Sequence, residues 1–209
     1  MGVDKFNFSY FFNNEINASI QNQNFKIDSN VAGVPVQTHS SNIKFITKPG
    51  VYKNCDGLIT SKKYNVPLII KIADCVPIYI YDTKTQYYGL LHSGWKGTKD
   101  HIIIKALEIF NNVSNLLLEN IKICIGPHIK SCCYEVDWDV AQYFSFFKKN
   151  KPKNKWLLNL EKEIKYDAIN QGILSKNIFT VDICTYESLE CESFRRDGKK
   201  SKRMIGVIS

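Results

Sequence analysis

The chain has 209 residues, of which 44% are hydrophobic and 12% aromatic, enough to build a buried core. Its net charge of +8 is spread along the sequence, so the charge alone does not indicate a protein that binds nucleic acid. Lys71 and Asp74 interrupt the longest apolar run, which excludes a membrane-spanning helix there. We therefore expect one domain over residues 1–209, with neither nucleic acid nor membrane as a partner.

The chain contains seven cysteines and begins without the apolar segment of a signal peptide. An odd number of cysteines in such a sequence predicts free thiols and a cytoplasmic, reducing location. We interpret the adjacent Cys132 and Cys133 as packing residues, because neighbouring thiols seldom chelate one ion well.

The first third of the chain predicts short strands at 6–12, 17–25, 34–36, 43–47 and 58–60. His39 follows the third of these and is expected in a bend. Residues 54–57, Asn-Cys-Asp-Gly, are interpreted as a turn that leads into the last of them.

Residues 66–98 contain two strand-like runs joined by a polar turn, with Cys75 near one end and His92 near the other. If Thr83 and Lys84 form a two-residue hairpin loop, Cys75 lies directly opposite His92. The Cβ atoms of such a pair lie about 4.5–5.5 Å apart, close enough to share a proton or a metal. Thr-Lys lacks the glycine or asparagine of favoured two-residue loops, so a three-residue loop that shifts the register by one stays an alternative.

The second half of the chain predicts four helical or loop segments. Apolar residues at helical spacing after His92 predict a helix whose N-cap is Thr98 or Asp100, and the glycines before it predict an anion pocket at its start. Asp137 is expected to cap a helix over 138–147. The lysine-rich run 148–155 is expected to be an exposed loop between two helices.

Asn159 is expected to open the next helix, which buries Leu160, Ile164 and Ala168 and ends with Gly172 as its C′ residue. Strands are predicted at 121–125, 177–183 and 204–208. Helices and strands do not alternate strictly, so we predict an α+β fold with a mixed, largely antiparallel β-sheet core covered by helices.

Several motifs occur in a fixed order along residues 35–209. They are Gln37-Thr38-His39, Ala73-Asp74-Cys75-Val76-Pro77, His92-Ser93-Gly94-Trp95-Lys96-Gly97-Thr98, Gly126-Pro127, Cys132-Cys133-Tyr134-Glu135-Val136, Cys184-Thr185, Arg195-Arg196-Asp197-Gly198 and Arg203-Met204. This ordered set resembles the laccase-domain, or polyphenol oxidoreductase, family, whose members are mostly described as purine nucleoside phosphorylases. The resemblance also implies kinship with cysteine hydrolases of the cytotoxic necrotizing factor type.

The resemblance implies a Zn²⁺ site formed by His39, Cys75 and His92. Three protein ligands leave a fourth position open, as in catalytic zinc sites. Copper is disfavoured, because four histidines are too few for a multicopper cluster.

The implied activity is phosphorolysis of adenosine, inosine, guanosine and methylthioadenosine, with adenosine deaminase activity beside it. The small-molecule partners would be a purine nucleoside and phosphate, and the chain would be a monomer or a homodimer. Cys75, His92 and Asp74 are the expected catalytic residues. The expected substrate contacts come from Arg195 and Arg196 to an anion, from Trp95 to the base, and from the backbone at Gly94.

The N-terminal segment departs from the family pattern. It reads FSYFFNNEIN where family members usually carry Thr-Arg-Gly-Gly, and Ser40 replaces a glycine after the first histidine. Two alternatives therefore stay open. One is a Cys75–His92 hydrolase acting on the amide of a peptidoglycan precursor or a similar amide, and the other is a nucleoside-binding protein without turnover.

Overall fold

The computed structural model describes residues 5–114 and 117–209, and it confirms the expected α+β fold class. Residues 1–4 and 115–116, which the expected domain 1–209 includes, lie outside the described residues. The helices are α1 (Trp95–Lys99), α2 (Ile102–Ser114), α3 (Trp138–Ala141), α4 (Leu160–Asn170) and α5 (Phe194–Asp197). The strands are β1 (Phe6–Asn7), β2 (Ala18–Gln21), β3 (Gly33–Pro35), β4 (Ile43–Phe45), β5 (Gly50–Tyr52), β6 (Gly57–Ser61), β7 (Leu68–Ile72), β8 (Val76–Asp82), β9 (Tyr87–Ser93), β10 (Ile121–Ile125), β11 (Glu135–Val136), β12 (Phe147–Asn150), β13 (Lys155–Leu158), β14 (Ile178–Thr180) and β15 (Met204–Ile208).

Within these two ranges the strands form three sheets. The first sheet has the order β1-β2-β15-β7-β3-β5, and the second sheet has the order β14-β10-β8-β9-β6-β4. A small sheet has the order β11-β13-β12. Most neighbouring strands are antiparallel, but β3 runs parallel to both β5 and β7.

The second sheet is the middle layer of the fold, and β8 shows why. All seven residues of β8 are buried. Ile78 and Ile80 pack in one apolar cluster with residues of α2 and α4, whereas Tyr79 and Tyr81 pack in another with residues of the first sheet. Since side chains alternate between the faces of a strand, β8 has one face toward the helices and one toward the first sheet.

Three connections between the two large sheets meet at one edge. They run from β3 to β4, from β5 to β6 and from β7 to β8, and they contain His39, Asp56 and Cys75 respectively. Because β3, β5 and β7 are mutually parallel, their carboxyl ends lie at the same edge of the first sheet. The fold thereby gathers side chains that are distant in sequence.

The predicted register of the β8–β9 hairpin is wrong by two residues. Pro77, not Cys75, pairs directly with His92, and the loop between the strands has four residues, 83–86. The carboxylate of Asp82 accepts hydrogen bonds from the N–H groups of Lys84 and Thr85, which shapes this longer turn. A shift of two keeps every side chain on its predicted face, so Cys75 and His92 still share the face toward the first sheet.

The expected N-cap before α2 is also wrong. Thr98 lies inside the short helix α1, where its hydroxyl donates to the carbonyl of Gly94 at 3.0 Å. Asp100 follows the last residue of α1, and His101 takes a left-handed conformation with φ 55° before α2 begins. The five-residue α1 therefore replaces the expected capped start of one long helix.

The region 138–155 differs from the prediction as well. Helix α3 ends at Ala141, and Phe147 begins β12 instead of continuing a helix. The lysine-rich run is not a loop between helices, because β12 and β13 pair as an antiparallel hairpin there. The carboxylate of Glu163 accepts from the backbone N–H groups of Ser145 and Phe146, so a residue of α4 stabilises the turn that ends the helical region.

Other predictions are confirmed. Helix α4 has Asn159 as its N-cap, with Oδ1 accepting from the N–H of Lys162, and Gly172 follows its end at φ 97°. Strands β10 and β15 have the predicted bounds. The strands predicted at 6–12 and 17–25 are shorter, since a 3-10 helix (Ser9–Phe12) separates β1 from β2. In the described ranges, every helix is too short or too polar to span a membrane.

Candidate metal and substrate site

The structure brings His39, Cys75 and His92 together. One nitrogen of each histidine and Sγ of Cys75 all lie within 4.8 Å of one another. The two imidazole rings are nearly perpendicular, at 80°, with centroids 4.9 Å apart. His92 is buried, Cys75 is half-buried and His39 is exposed, so the group is open to solvent on the His39 side.

Asp56 holds both histidines, although the sequence indicated only a turn at this position. Its carboxylate is fully buried and accepts from Nδ1 of His92 and from the backbone N–H of His39, both at 2.9 Å. The N–H groups of Thr38 and Ser40 donate to the other oxygen. Burial raises the pKa of Asp56, but the hydrogen bonds from His92 and from the 38–40 backbone bring it well below its ordinary value. Asp56 is therefore an ionised, fully occupied carboxylate beneath the site.

Cys75 and His92 titrate as partners. Burial raises the pKa of Cys75, but the nearby imidazoles of His39 and His92 lower it to about 6. Burial lowers the pKa of His92, but Asp56 and Cys75 raise it to about 9. Both shifts favour a thiolate beside an imidazolium, and the thiolate is the form of cysteine that binds metals and acts as a nucleophile.

Gln37 fixes the His39 loop to the first sheet. Its side-chain amide donates to the carbonyl of Lys71 and accepts from the N–H of Lys71, both at 2.8 Å. The side-chain amide thus satisfies both backbone groups of Lys71, as a neighbouring strand would do. The glutamine of the Gln-Thr-His motif thus has a positioning role that the sequence did not reveal.

Gly94 lies against His39 and Cys75 and immediately precedes α1. A Cβ at this position would lie 3.2 Å from Sγ of Cys75 and 3.3 Å from Cδ2 of His39. A side chain would therefore press on two of the three donors. The next residue, Trp95, is half-buried, lines the same cavity and packs against the core between the second sheet and the helices.

Asp74, which precedes Cys75, is not a free base. Its two carboxylate oxygens accept from the hydroxyl of Thr185 at 2.7 Å and from the backbone N–H of Arg195 at 2.6 Å. Its carbonyl accepts from the N–H of Ile129. Asp74 has a left-handed backbone, φ 79°, and its three hydrogen bonds tie Ile129, Thr185 and Arg195 to the Cys75 loop.

A cavity of about 750 Å³ opens over the three donors, within the size range of small-molecule sites. Its walls are formed by aliphatic and aromatic residues, including Val34, Val36, Val51, Ile129, Tyr134, Leu160 and Phe194. Three cations, Lys71, Arg195 and Arg203, also line it. The cavity thus combines apolar walls with positive charge.

The two expected arginines differ. Arg195 lines the cavity, where its guanidinium lies 5.1 Å from the ring centroid of Tyr134 and donates to the carbonyl of Glu135. Arg196 is not among the residues that line the cavity. Its guanidinium pairs with Asp197 and donates to main-chain carbonyls of Thr185, Tyr186, Ser188 and Cys191.

Two further cations, Lys71 and Arg203, were not selected from sequence. Lys71 interrupts an apolar strand, which is the one local sign that its side chain points away from the core. Arg203 lies immediately before β15. The Arg203-Met204 motif is part of the family resemblance, but the sequence assigned no function to either residue. The N-terminal segment 8–17, in contrast, contributes nothing to the cavity lining, and Phe8, Phe12 and Ile16 are buried in the core.

The donor set fits a metal ion. The hydrogen bond from Nδ1 of His92 to Asp56 leaves Nε2 of His92 as a ligand, and such carboxylate partners are common behind metal-bound histidines. Two imidazole nitrogens and one thiolate are ligands that zinc accepts, and they leave one coordination position for another molecule. Copper(II) and other borderline metals accept nitrogen and sulfur too, so the donors define the class of ion and not its identity.

A protein-family model and several named proteins match most of this chain. The family model described as multi-copper polyphenol oxidoreductase laccase matches residues 10–209. A purine nucleoside phosphorylase of Clostridium acetobutylicum is 33% identical over 199 residues, covering 93% of this chain and 83% of the relative. A purine nucleoside phosphorylase of Aquifex aeolicus is 33% identical over 178 residues, covering 84% and 81%.

Solved structures share the fold. The crystal structure of the hypothetical protein YfiH of Bacillus licheniformis superposes with a TM-score of 0.85 at 24% identity, covering 94% of this chain and 93% of that one. YlmD of Geobacillus stearothermophilus superposes with a TM-score of 0.84 at 22% identity, covering 93% and 91%.

Proposed function

This chain belongs to the multi-copper polyphenol oxidoreductase laccase family, and from that premise we propose that it is a zinc-dependent purine nucleoside phosphorylase. The relatives from Clostridium acetobutylicum and Aquifex aeolicus carry the name of that activity, and each is 33% identical to this chain over most of both proteins. The proposed substrates are adenosine, inosine, guanosine and methylthioadenosine, together with phosphate.

One observation supports this proposal more than any other: a metal-binding group and three cations share one cavity with apolar walls. A purine base needs apolar and aromatic surface, whereas phosphate needs cations and N–H donors. The distribution of Trp95 and Tyr134 beside Arg195 and Arg203 meets both needs.

His39, Cys75 and His92 would hold the zinc ion. When bound, zinc supplies Lewis acidity that polarises a substrate atom in the open position. Asp56 keeps the His92 ring oriented by holding the proton on Nδ1, and it anchors the His39 loop through backbone N–H groups. The ligands are thus positioned by hydrogen bonds within the protein.

The other residues bind and orient the two substrates. Arg195, Arg203 and Lys71 attract phosphate, and the guanidinium groups can each donate two hydrogen bonds to it. Burial raises the pKa of Tyr134, so its hydroxyl keeps its proton at neutral pH and remains a hydrogen-bond donor in the cavity wall. Asp74 acts as a positioning residue, because both of its oxygens already accept hydrogen bonds.

We also propose adenosine deaminase activity at the same site. Deamination requires water at the purine instead of phosphate at the ribose, and the site is open to solvent beside His39. A phosphate-free assay would measure this activity separately, as ammonia released from adenosine.

The proposal is tested with purified, zinc-loaded protein, inosine and phosphate. We expect release of hypoxanthine that requires phosphate and falls at least about 100-fold in the His39→Ala variant, which lacks one ligand. His101→Ala is the matched control, because His101 is exposed and pairs with Asp167 outside the site. Zinc binding without base release from any of the four nucleosides would refute the phosphorylase, and nucleoside binding in calorimetry without turnover would then establish a nucleoside-binding protein.

A second candidate function is supported by the spatial arrangement of three side chains: Cys75 lies beside His92, and His92 is hydrogen-bonded to Asp56. A thiolate, an imidazole and a buried carboxylate behind that imidazole are the parts of a cysteine hydrolase, here for an amide such as that of a peptidoglycan precursor. Removing the metal with a chelator distinguishes the hydrolase from the phosphorylase. A metal-free protein that hydrolyses an amide, and that iodoacetamide inactivates at Cys75, would establish the hydrolase, whereas activity restored only by zinc would exclude it.

A further inference from the structure

A second group of metal-binding side chains lies outside the cavity. It consists of Cys132 and Cys133, from the loop between β10 and β11, and of Cys184 and Glu187, which follow β14. The three sulfur atoms and one carboxylate oxygen all lie within 4.8 Å of one another. We call these four residues the thiol cluster.

The spacing of the thiol cluster suits one small ion. With zinc–sulfur bonds of about 2.3 Å, the ligands of a tetrahedral site lie about 3.8 Å apart. An inward movement of about 1 Å at most would bring the four donors to this spacing. Cys132 and Glu187 are exposed and free to make it, while Cys184 is buried and Cys133 half-buried.

We propose that Cys132, Cys133, Cys184 and Glu187 form a second, structural metal site for zinc or a similarly thiophilic divalent cation. Three thiolates and one carboxylate complete a tetrahedron and leave no open position, which distinguishes this site from the cavity site. Adjacent cysteines alone are poor chelators, but the two segments together supply enough donors.

The buried Sγ of Cys184 accepts backbone hydrogen bonds that would stabilise a thiolate. The backbone N–H of Lys130 donates to Sγ of Cys184 at 3.4 Å, and the N–H groups of Tyr186 and Glu187 are directed at the same sulfur. Backbone donors around one sulfur stabilise a thiolate, as they do in protein sites that hold metal–thiolate centres.

The two segments also support the cavity. His128 and Cys184 form an isolated parallel bridge, and Thr185 and Ile129 both hydrogen-bond to Asp74. Tyr134, next to Cys133, lines the cavity. An ion in the thiol cluster would therefore fasten the wall that Asp74 holds, and this inference does not depend on which reaction the cavity catalyses.

The test uses cobalt(II) added to reduced, metal-free protein in the Cys75→Ala background, where the cavity site has lost its sulfur. We expect about one cobalt ion per chain with a thiolate-to-cobalt charge-transfer band. Cys132→Ser and Glu187→Gln, both at exposed positions, should each weaken cobalt binding at least about tenfold. Cys191→Ala is the matched control, because Cys191 belongs to neither group, and it should leave the band unchanged.

Circular dichroism establishes that each variant is folded. Absence of a thiolate band in the Cys75→Ala protein would overturn the proposal, as would a band that Cys132→Ser leaves intact. An intact mass two hydrogens lower, showing a disulfide within the thiol cluster that resists reductant, would overturn it in favour of a redox pair.

Discussion

Oδ1 of Asp56 accepts a hydrogen bond from Nδ1 of His92 at 2.9 Å, and neither residue's side chain is more than slightly exposed. The same oxygen accepts from the backbone N–H of His39. One carboxylate thus fixes a ring nitrogen of one proposed ligand and the backbone of another.

Replacing Asp56 with Asn should weaken zinc binding about 10–100-fold, the range known for partners of metal-bound histidines. The amide keeps the volume but removes the charge and one of the two accepting oxygens. Competition with a chromophoric chelator measures the affinity. Asp82→Asn is the control, because Asp82 is an equally buried carboxylate that accepts hydrogen bonds from Lys84 and Thr85 in the hairpin turn. Equal zinc affinity in the two variants would contradict the role given to Asp56.

A Gly94→Ala substitution should lower zinc affinity with little loss of stability. The added methyl group would press on Cys75 and His39, whereas the backbone of Gly94, at φ −81°, is ordinary for alanine. Gly172→Ala should show the opposite pattern, since φ 97° at the end of α4 strains alanine by about 1–2 kcal/mol away from the site. Urea unfolding and zinc titration of both variants check the contrast. Unchanged zinc affinity in Gly94→Ala would show that the donors can move aside freely.

Substitutions at Arg203 and Arg196 should have different effects, the first on phosphate binding and the second on the stability of the fold. Arg203→Gln should raise the KM for phosphate several-fold, and added salt should reduce the difference from wild type. Arg196→Gln should lower the free energy of unfolding by ~2 kcal/mol, because its guanidinium holds several main-chain carbonyls. Its phosphate KM should stay at the wild-type value. A raised KM in Arg196→Gln alone would reverse these assignments.

His128 should make stability depend on pH. It is buried, Nδ1 donates to the carbonyl of Gly126 at 2.8 Å, and burial lowers its pKa from 6.5 to about 4. As pH falls from 6.5 toward 4 the unfolded chain binds a proton that the folded chain does not, so stability is lost in this window. Between pH 7 and pH 5 the loss from this group is about 2 kcal/mol.

The check is urea unfolding of wild type and His128→Asn at both pH values. The variant should lose less stability than wild type on acidification, because asparagine does not titrate. Identical losses in the two proteins would mean that the buried histidine is protonated at little cost, with Glu161 as its partner at 3.6 Å.

Local signals predicted part of this fold residue by residue. Helix α4 followed from its cap, from Leu160, Ile164 and Ala168 on one face, and from the glycine after its end, and all of these act within a few residues. The end of α3 could not be predicted in this way. There the turn is stabilised by Glu163, a residue that only the folded chain brings close.

The structure brings together the three side chains predicted to form a metal site, His39, Cys75 and His92, but the predicted hairpin register was wrong. The pairing of Cys75 with His92 failed because Asp82 bends the hairpin into a longer loop, yet the error of two residues left both side chains on one face. Asp56 was missed for a different reason. Its sequence neighbours indicate a turn, and its partners are His39, in a loop 17 residues earlier, and His92, in β9 36 residues later.

The hydrogen bonds of Gln37 to β7 and of Asp56 to residues 38–40 have a consequence for the kinetics of metal uptake. Ordering a free backbone costs about 1–2 kcal/mol of conformational entropy per residue, and folding has already met this cost for the His39 loop. The ligands of the proposed zinc site are therefore in place before an ion arrives. We expect uptake by the folded chain to be a single second-order process, proportional to ion concentration, without a slow phase in which the loop closes.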